Sequence, residues 1–337
     1  MRFYLDGPRD PWKEDAQTVL HIASFNRPMT AGRIYASGGC MIRAVSAMPR
    51  FLVGVLLVLL AGVGVAQQPA GTLQQIIPGH YIYSSSTYNS GVIVTTEGAV
   101  VLDALNTEAV GRALRDAITR EARKPVRVLV SGTHHNNYSK GNIAFADVLK
   151  IGHDNYRADL FALMQNEKVS AGEQAARLPN QTYRDRMTLH LGGKEIQILY
   201  PGRAHTRGDS IIFVPQDRIV YLSELYFADQ FLFINDGYGL DWLKALDMVE
   251  ALPADIFVPG HGPIPADPKQ TRQGLRRFRQ MLVDVRDAVQ KEVSRGATED
   301  QAVATVRWPQ YEKLQGYEAQ RETAIRRLYR QLTGKLP

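Results

Sequence analysis

Residues 126–142 read VRVLVSGTHHNNYSKGN. A mostly apolar, β-branched run, Val126–Val130, interrupted only by Arg127, leads through Ser131 to Gly132-Thr133. Two histidines, two asparagines, a tyrosine and then Gly141-Asn142 follow. The run does not alternate with polar residues, which is the pattern of a strand covered on both faces. Pro125 stops the element before it. A covered strand that opens into a polar, His-bearing loop predicts a layered protein whose chemistry sits at strand ends.

Working upstream, His80–Ser84, Gly91–Thr96 and Ala99–Asp103 read as short strands, with Thr95-Thr96-Glu97-Gly98 as the turn between the last two. Thr107 to Arg123 carries Val110, Leu114 and Ile118 at helical spacing, with Thr107 as N-cap. Downstream, Phe145–Ile151 and Ala158–Gln165 supply further strand and helix pieces. Met187–Leu191, Glu195–Tyr200, Ser210–Val214 and Ile219–Leu222 form a second set of strands, punctuated by Gly192-Gly193 and Pro215-Gln216-Asp217. Trp242–Leu252 is helical and Ile256–Val258 is one more strand. A long helix from Thr271 presents Leu275, Phe278, Met281, Leu282 and Val285 on one face, and Tyr317–Leu332 is amphipathic and Arg-rich. Strands followed by helices, twice over, predict two sheets packed together with helices outside.

Four loops behind strand-like runs carry polar residues able to bind metals: Thr133–Tyr138, Ala204–Asp209 (AHTRGD), Ser223-Glu224 and Pro259–Pro263 (PGHGP). In this combination, together with Asn89-Ser90-Gly91 and the strand end Val101-Leu102-Asp103, the chain resembles the metallo-β-lactamase superfamily from about Gln75 to Leu332. The resemblance implies an α/β fold, the four-layer αββα sandwich of that family. It also implies a metal-dependent hydrolase, in a superfamily of lactamases, glyoxalases, lactonases and sulfatases.

The family's first metal loop reads Thr-His-x-His-x-Asp-His-x-x-Gly-Asn. Two registers fit. The one that runs without a gap from Val126 to Asn142 puts Thr133 at the first histidine and His135 at the second, with Asn137 for the aspartate and Tyr138 for the last histidine. His205 matches the second loop's histidine, Glu224 the bridging aspartate and His261 the final histidine. The resemblance thus implies a reduced metal set of His135, His205, Glu224 and His261. One Zn²⁺ with an open position for water suits imidazole and carboxylate donors, and a two-His, one-carboxylate subset also suits Fe(II) or Mn(II). Zinc-bound water, with a pKa of about 7, would attack an ester, lactone or amide carbonyl. Asn136, Asn137 or Tyr138 would donate to the oxyanion, with Asn137 and Tyr138 the catalytic candidates. Tyr138 could instead simply fill the space of a second metal. The alternative is an inactive member of the fold whose eroded site binds a small molecule.

Other polar residues have plainer readings. His134 is expected to be a supporting or surface residue and His153 a structural one. Asp103 and Asp209 would orient loops, and His80 and His190 would lie on the surface.

Phe51 to Val65, FLVGVLLVLLAGVGV, is uncharged, follows Arg43 and Arg50, and ends in the small-x-small pattern Gly64-Val65-Ala66. This is the pattern of a signal peptide, residues 41–66, cleaved after Ala66. The run is short of the ~20 residues of a spanning helix. A periplasmic or secreted location, with no stable membrane anchor after cleavage, follows. Residues 1–40 fit a leader poorly and are expected to arise from an early start, with Met41 or Met48 as the native one. Residues 67–75 are expected to be a linker, and 76–337 a single domain.

The one cysteine, Cys40, precedes the cleavage point. A metal would therefore be held by N and O donors alone. The 337 residues are 45% apolar and 22% charged, enough for a sizeable core. The net charge of +6 falls to +3 beyond residue 66, with 33 basic and 30 acidic side chains. That excludes an argument for nucleic acid and leaves a small-molecule substrate as the expected partner.

Overall fold

The computed structural model describes residues 18–21 and 71–336. The segment expected to be a signal peptide, its expected cleavage point, Cys40 and most of residues 1–40 lie outside the described residues. Thirteen strands are described: β1 (Thr18–His21), β2 (Thr72–Ile77), β3 (His80–Ser85), β4 (Tyr88–Val94), β5 (Ala99–Leu102), β6 (Val126–Ser131), β7 (Leu149–His153), β8 (Gln181–Tyr183), β9 (Arg186–Leu191), β10 (Lys194–Leu199), β11 (Ile211–Val214), β12 (Ile219–Tyr221) and β13 (Ile256–Val258). The helices are α1 (Glu108–Ala117), α2 (Asn136–Ser139), α3 (Asp154–Asn166), α4 (Ala171–Arg177), α5 (Gly239–Ala251), α6 (Thr271–Ser294), α7 (Glu299–Thr305) and α8 (Tyr317–Leu332).

One sheet runs in the order β2-β3-β4-β5-β6-β7-β8 and the other β1-β9-β10-β11-β12-β13. The first is antiparallel from β2 to β5 and parallel from β5 to β8. Thr95–Gly98 turns β4 into β5 as the sequence predicts, with Thr95 Oγ1 donating to the Gly98 carbonyl at 2.8 Å. Residues 72–75, which the sequence reading places in a linker, belong to β2 and pair with β3. Its residues TLQQII offer no regular alternation of polar and apolar positions.

Alternation along the strands builds the layers. Val128 and Val130 of β6 face Ile196, Ile198 and Ile212 of the second sheet in a core between the sheets. Leu129 points the other way, onto Leu114 and Ile118. In the second sheet, Ile212 and Val214 face inward, while Phe213, Val220 and Phe257 pack outward on α5, α6 and α8. This makes an αββα sandwich. The helix from Thr107 is α1, and Thr107 caps it by accepting from Val110 N. An unforeseen short helix, α7, has a reciprocal capping box between Thr298 and Gln301.

His80 corrects the expectation of a surface residue, since it is fully buried. Its Nε2 lies 2.8 Å from Asp217 Oδ2 and its Nδ1 3.2 Å from the Tyr221 hydroxyl, so it links β3 to the second sheet. Tyr221 also lies against Gly91, where an added Cβ would come within 2.4 Å of the ring. His190 is exposed. Among the described residues, no helix is long and apolar enough to cross a membrane.

Candidate metal centre

The four loops singled out in the sequence all leave strand ends, one from the first sheet and three from the second. β6 leads to His135, which stands at the N-cap of α2. The loop after β10 carries His205, the turn after β12 carries Glu224, and the loop after β13 carries His261.

The loops are held by polar contacts behind the site. Asp103 Oδ1 accepts from Gly132 N at 2.7 Å, and Oδ2 accepts from Ser223 Oγ at 2.5 Å. Asp103 (φ 69°) and Ser223 (φ 48°) are both in the left-handed region, a strain that this buried contact sustains. Burial pushes the Asp103 carboxyl up to about 7, opposed by these donors. Asp209 accepts from Thr206 N and Oγ1 and so closes the second loop on itself. Asn89 Nδ2 donates to the Gly262 and Pro259 carbonyls, fixing the turn around His261. Gly141 lets the first loop press on the chain after β5. A Cβ there would lie 1.8 Å from the Ala104 carbonyl oxygen.

Glu224 is the hub. Its Oε2 lies 2.7 Å from His135 Nδ1 and 3.1 Å from His205 Nε2. Its Oε1 lies 3.0 Å from His261 Nε2. His135 Nδ1 and His205 Nε2 are themselves 3.1 Å apart. Glu224, His205 and His261 are buried and His135 nearly so. Burial would raise the Glu224 carboxyl, but the His205 and His135 imidazoles hold it well below its ordinary value. For His135, burial favours the neutral ring, yet Glu224 and Asp236 carry it up to about 10. The ring stands between two carboxylates, with its Nε2 at 3.0 Å from Asp236 Oδ2. The hydrogen bond from His135 brings Asp236 down to about 2, against partial burial.

Sequence reasoning missed Asp236. It lies in the polar stretch Asn235-Asp236-Gly237-Tyr238, with no motif around it. His134, expected to be a supporting or surface residue, is partly buried and its Nδ1 has no partner.

The donors fit a divalent cation. His135 Nδ1, His205 Nε2 and a Glu224 oxygen form a three-donor cluster without a thiol. Tetrahedral Zn²⁺ with bonds of about 2.0–2.1 Å sets its ligands roughly 3.4 Å apart. The observed 2.7–3.1 Å separations therefore need to open by roughly 0.3–0.7 Å. His261 meets the other oxygen of the same carboxylate and lies outside that cluster.

Aromatic rings pack around the donors. Phe227 stacks on His261 at 4.4 Å, and Trp242 meets His205 edge-on at 5.1 Å. Beside them a cleft of about 170 Å³ has Glu224 and His261 among its lining residues, with Tyr88, Phe231, Phe233 and Asn137.

Tyr138 requires a correction as a catalytic donor. Its ring is buried, stands edge-on to His261 at 5.5 Å, and its hydroxyl donates to the Gly260 carbonyl. The space is filled and the donor is used. Asn136 is likewise committed, donating to Glu167 and accepting from Arg177. Asn137 alone of the three is exposed at the cleft. His153 is structural, capping α3 through Asn155 N and stacking on Tyr200 at 3.9 Å.

The family profile of the metallo-beta-lactamase superfamily matches residues 86–261. The 2,4-dinitroanisole O-demethylase subunit alpha of Nocardioides sp. (strain JS1661) is 22% identical over 202 residues, which is 59% of this chain and 60% of that protein. The chain thus spans well under two thirds of that relative. Among solved structures, a metallo-beta-lactamase from Pontibacter korlensis superposes with a TM-score of 0.53 at 19% identity, covering 63% of this chain and 99% of that one. The sec-alkylsulfatase Pisa1 from Pseudomonas sp. superposes with a TM-score of 0.63 at 16% identity, covering 77% of this chain and 50% of that one.

Proposed function

The chain belongs to the metallo-beta-lactamase superfamily, and from that membership we propose that it is a hydrolase that works with one divalent cation, Zn²⁺ in the first instance, on an ester, lactone or amide carbonyl. The observation that carries this reading is the convergence of His135, His205 and His261 on the two oxygens of Glu224. Three imidazoles and a carboxylate from four separate loops, buried among aromatic rings, are a costly arrangement for a protein with no use for it. That convergence also runs against an eroded, non-catalytic pocket.

His135, His205 and Glu224 would hold the cation, with His261 bordering it through the second carboxylate oxygen. The same two-His, one-carboxylate set admits Fe(II) or Mn(II). The bound cation supplies Lewis acidity and a water-derived nucleophile near neutral pH. The chain's own part is positional. Tyr88, Phe231 and Phe233 seat the apolar portion of a small substrate and exclude bulk water. The Asn137 amide, at the cleft, donates to the oxygen on which charge develops.

Elemental analysis of the purified protein, with assays on aryl esters, lactones and β-lactams, tests the proposal. About one Zn²⁺ per chain, lost together with hydrolysis in His205→Ala, is the expected result. A chain that takes up no cation under zinc-replete conditions overturns it.

We also propose that the protein is exported, on the strength of the apolar run Phe51–Val65 and the Gly64-Val65-Ala66 pattern behind it. A mature N-terminus at Gln67 in the periplasmic or extracellular fraction is expected. Retention of residues 1–66 overturns that reading.

A further inference from the structure

We propose that Asp236 is a positioning residue for the metal centre, taking the Nε2–H of His135 so that Nδ1 is the nitrogen presented to His205 and Glu224. The inference rests on the metal reading above and adds to it a residue outside the four loops.

An imidazole has two nitrogens, and a ring that ligates through one is fixed by what the other donates to. His135 offers Nδ1 to the cluster, 2.7 Å from Glu224 and 3.1 Å from His205. Its Nε2 points away from them and lies 3.0 Å from Asp236 Oδ2. With Nε2 protonated toward a carboxylate, the Nδ1 lone pair is available to a cation. Were the proton on Nδ1 instead, the ring could not ligate in this orientation. His135 needs such a partner more than its companions do. It is the most exposed of the four side chains, and the one contributed by the other sheet. Neither His205 nor His261 has a partner at Nδ1, so beyond the Glu224 contacts at Nε2 these rings are held by packing, on Trp242 and Phe227 respectively.

Asp236 is half-exposed, but its backbone is built in. Gly237 N donates to the Ile234 carbonyl at 3.0 Å, closing a turn around Asp236. Tyr238 N donates to the Ala204 carbonyl at 2.8 Å, which ties this turn to the residue beside His205. Arg327 of α8 donates through Nη2 to the Gly237 carbonyl at 2.8 Å. Arg203 covers the Tyr238 ring at 4.5 Å. The C-terminal helix thereby holds in place a carboxylate that acts through His135; Asp236 is outside the donor group of His135, His205 and Glu224, and lies near His134 and His135 on the other side of the ring.

The test uses the full chain and compares wild type with Asp236→Ala and Asp236→Asn. Zinc affinity is measured by competition with a chromophoric chelator, and the visible spectrum of the Co(II)-loaded form is recorded. Asp236→Ala is expected to weaken zinc binding about 10- to 100-fold, the range for carboxylates behind a ligating histidine. Its Co(II) spectrum should shift while the metal-free protein keeps its fold by circular dichroism. Asp236→Asn keeps an acceptor for Nε2–H and should recover part of the affinity. Zinc affinity in Asp236→Ala equal to wild type overturns the inference, and so does loss of a second, separate cation equivalent, which would make Asp236 a ligand with His134. If wild type itself binds no cation, the proposed function fails first.

Discussion

Tyr138 donates its phenolic hydroxyl to the carbonyl oxygen of Gly260, so the first loop is bonded to the turn that carries His261. The same carbonyl also accepts from Asn89 N at 2.8 Å. Tyr138→Phe therefore leaves it half satisfied, and should cost about 1 kcal/mol of unfolding free energy. Cation content and turnover should stay near wild type. Urea titration beside a steady-state assay checks this. A large fall in kcat with stability intact would return the hydroxyl to the reaction.

Glu224→Gln keeps the shape of the hub and removes its charge. Three imidazoles then face a neutral amide in a buried site. Cation affinity should fall by more than about 100-fold, beyond the range for supporting residues. The metal-free protein should change far less in stability than it would for Glu224→Ala, because the amide oxygen still accepts from imidazole N–H. Chelator competition and chemical denaturation separate the two effects. Near-native cation affinity in Glu224→Gln would show that the carboxylate is no ligand.

His80 predicts acid sensitivity away from the site. Burial lowers its pKa below 6.5 against the opposing pull of Asp217. The unfolded chain takes up a proton near 6.5 and the folded chain only at lower pH. Stability is therefore full above that value and falls as pH drops through it. The thermal midpoint should decrease between about pH 7.5 and about pH 5.5, and decrease less in His80→Gln. Identical pH profiles for the two proteins would refute the assignment.

Gly141→Ala should be severe, because the added Cβ would sit 1.8 Å from backbone at Ala104 rather than from a side chain that can swing away. A loss on the order of 3 kcal/mol is expected, with weakened cation binding as the first loop shifts. Calorimetry with and without zinc measures both. An unchanged midpoint would mean that the loop has room that this packing denies.

Much of this arrangement was legible in the sequence. The continuous apolar runs of β6 and β11 and the apolar face of α6 announced the layers, because strands covered on both faces and a helix covered on one each leave a local pattern. The donors His135, His205, Glu224 and His261 were legible as motifs behind strands. What local pattern could not carry was partnership across long separations. His80 looks like a polar strand end until Asp217, 137 positions away, is brought beside it. Asp236 has no signature of its own, and its position follows from the Tyr238–Ala204 backbone bond. Thr72–Gln75 reads as linker because its pairing with β3, and not its own composition, makes it part of a strand.

His135 stands on one leaf of the sandwich, while His205, Glu224 and His261 stand on the other. An ion held by His135, His205 and Glu224 would thus be a rivet through both leaves as well as a reagent. At a hundredfold excess over its dissociation constant, such a ligand deepens the native well by about 2.7 kcal/mol. Chelation should then lower the melting temperature as well as silence turnover, and a lineage that abandoned the reaction would still have reason to keep the rivet.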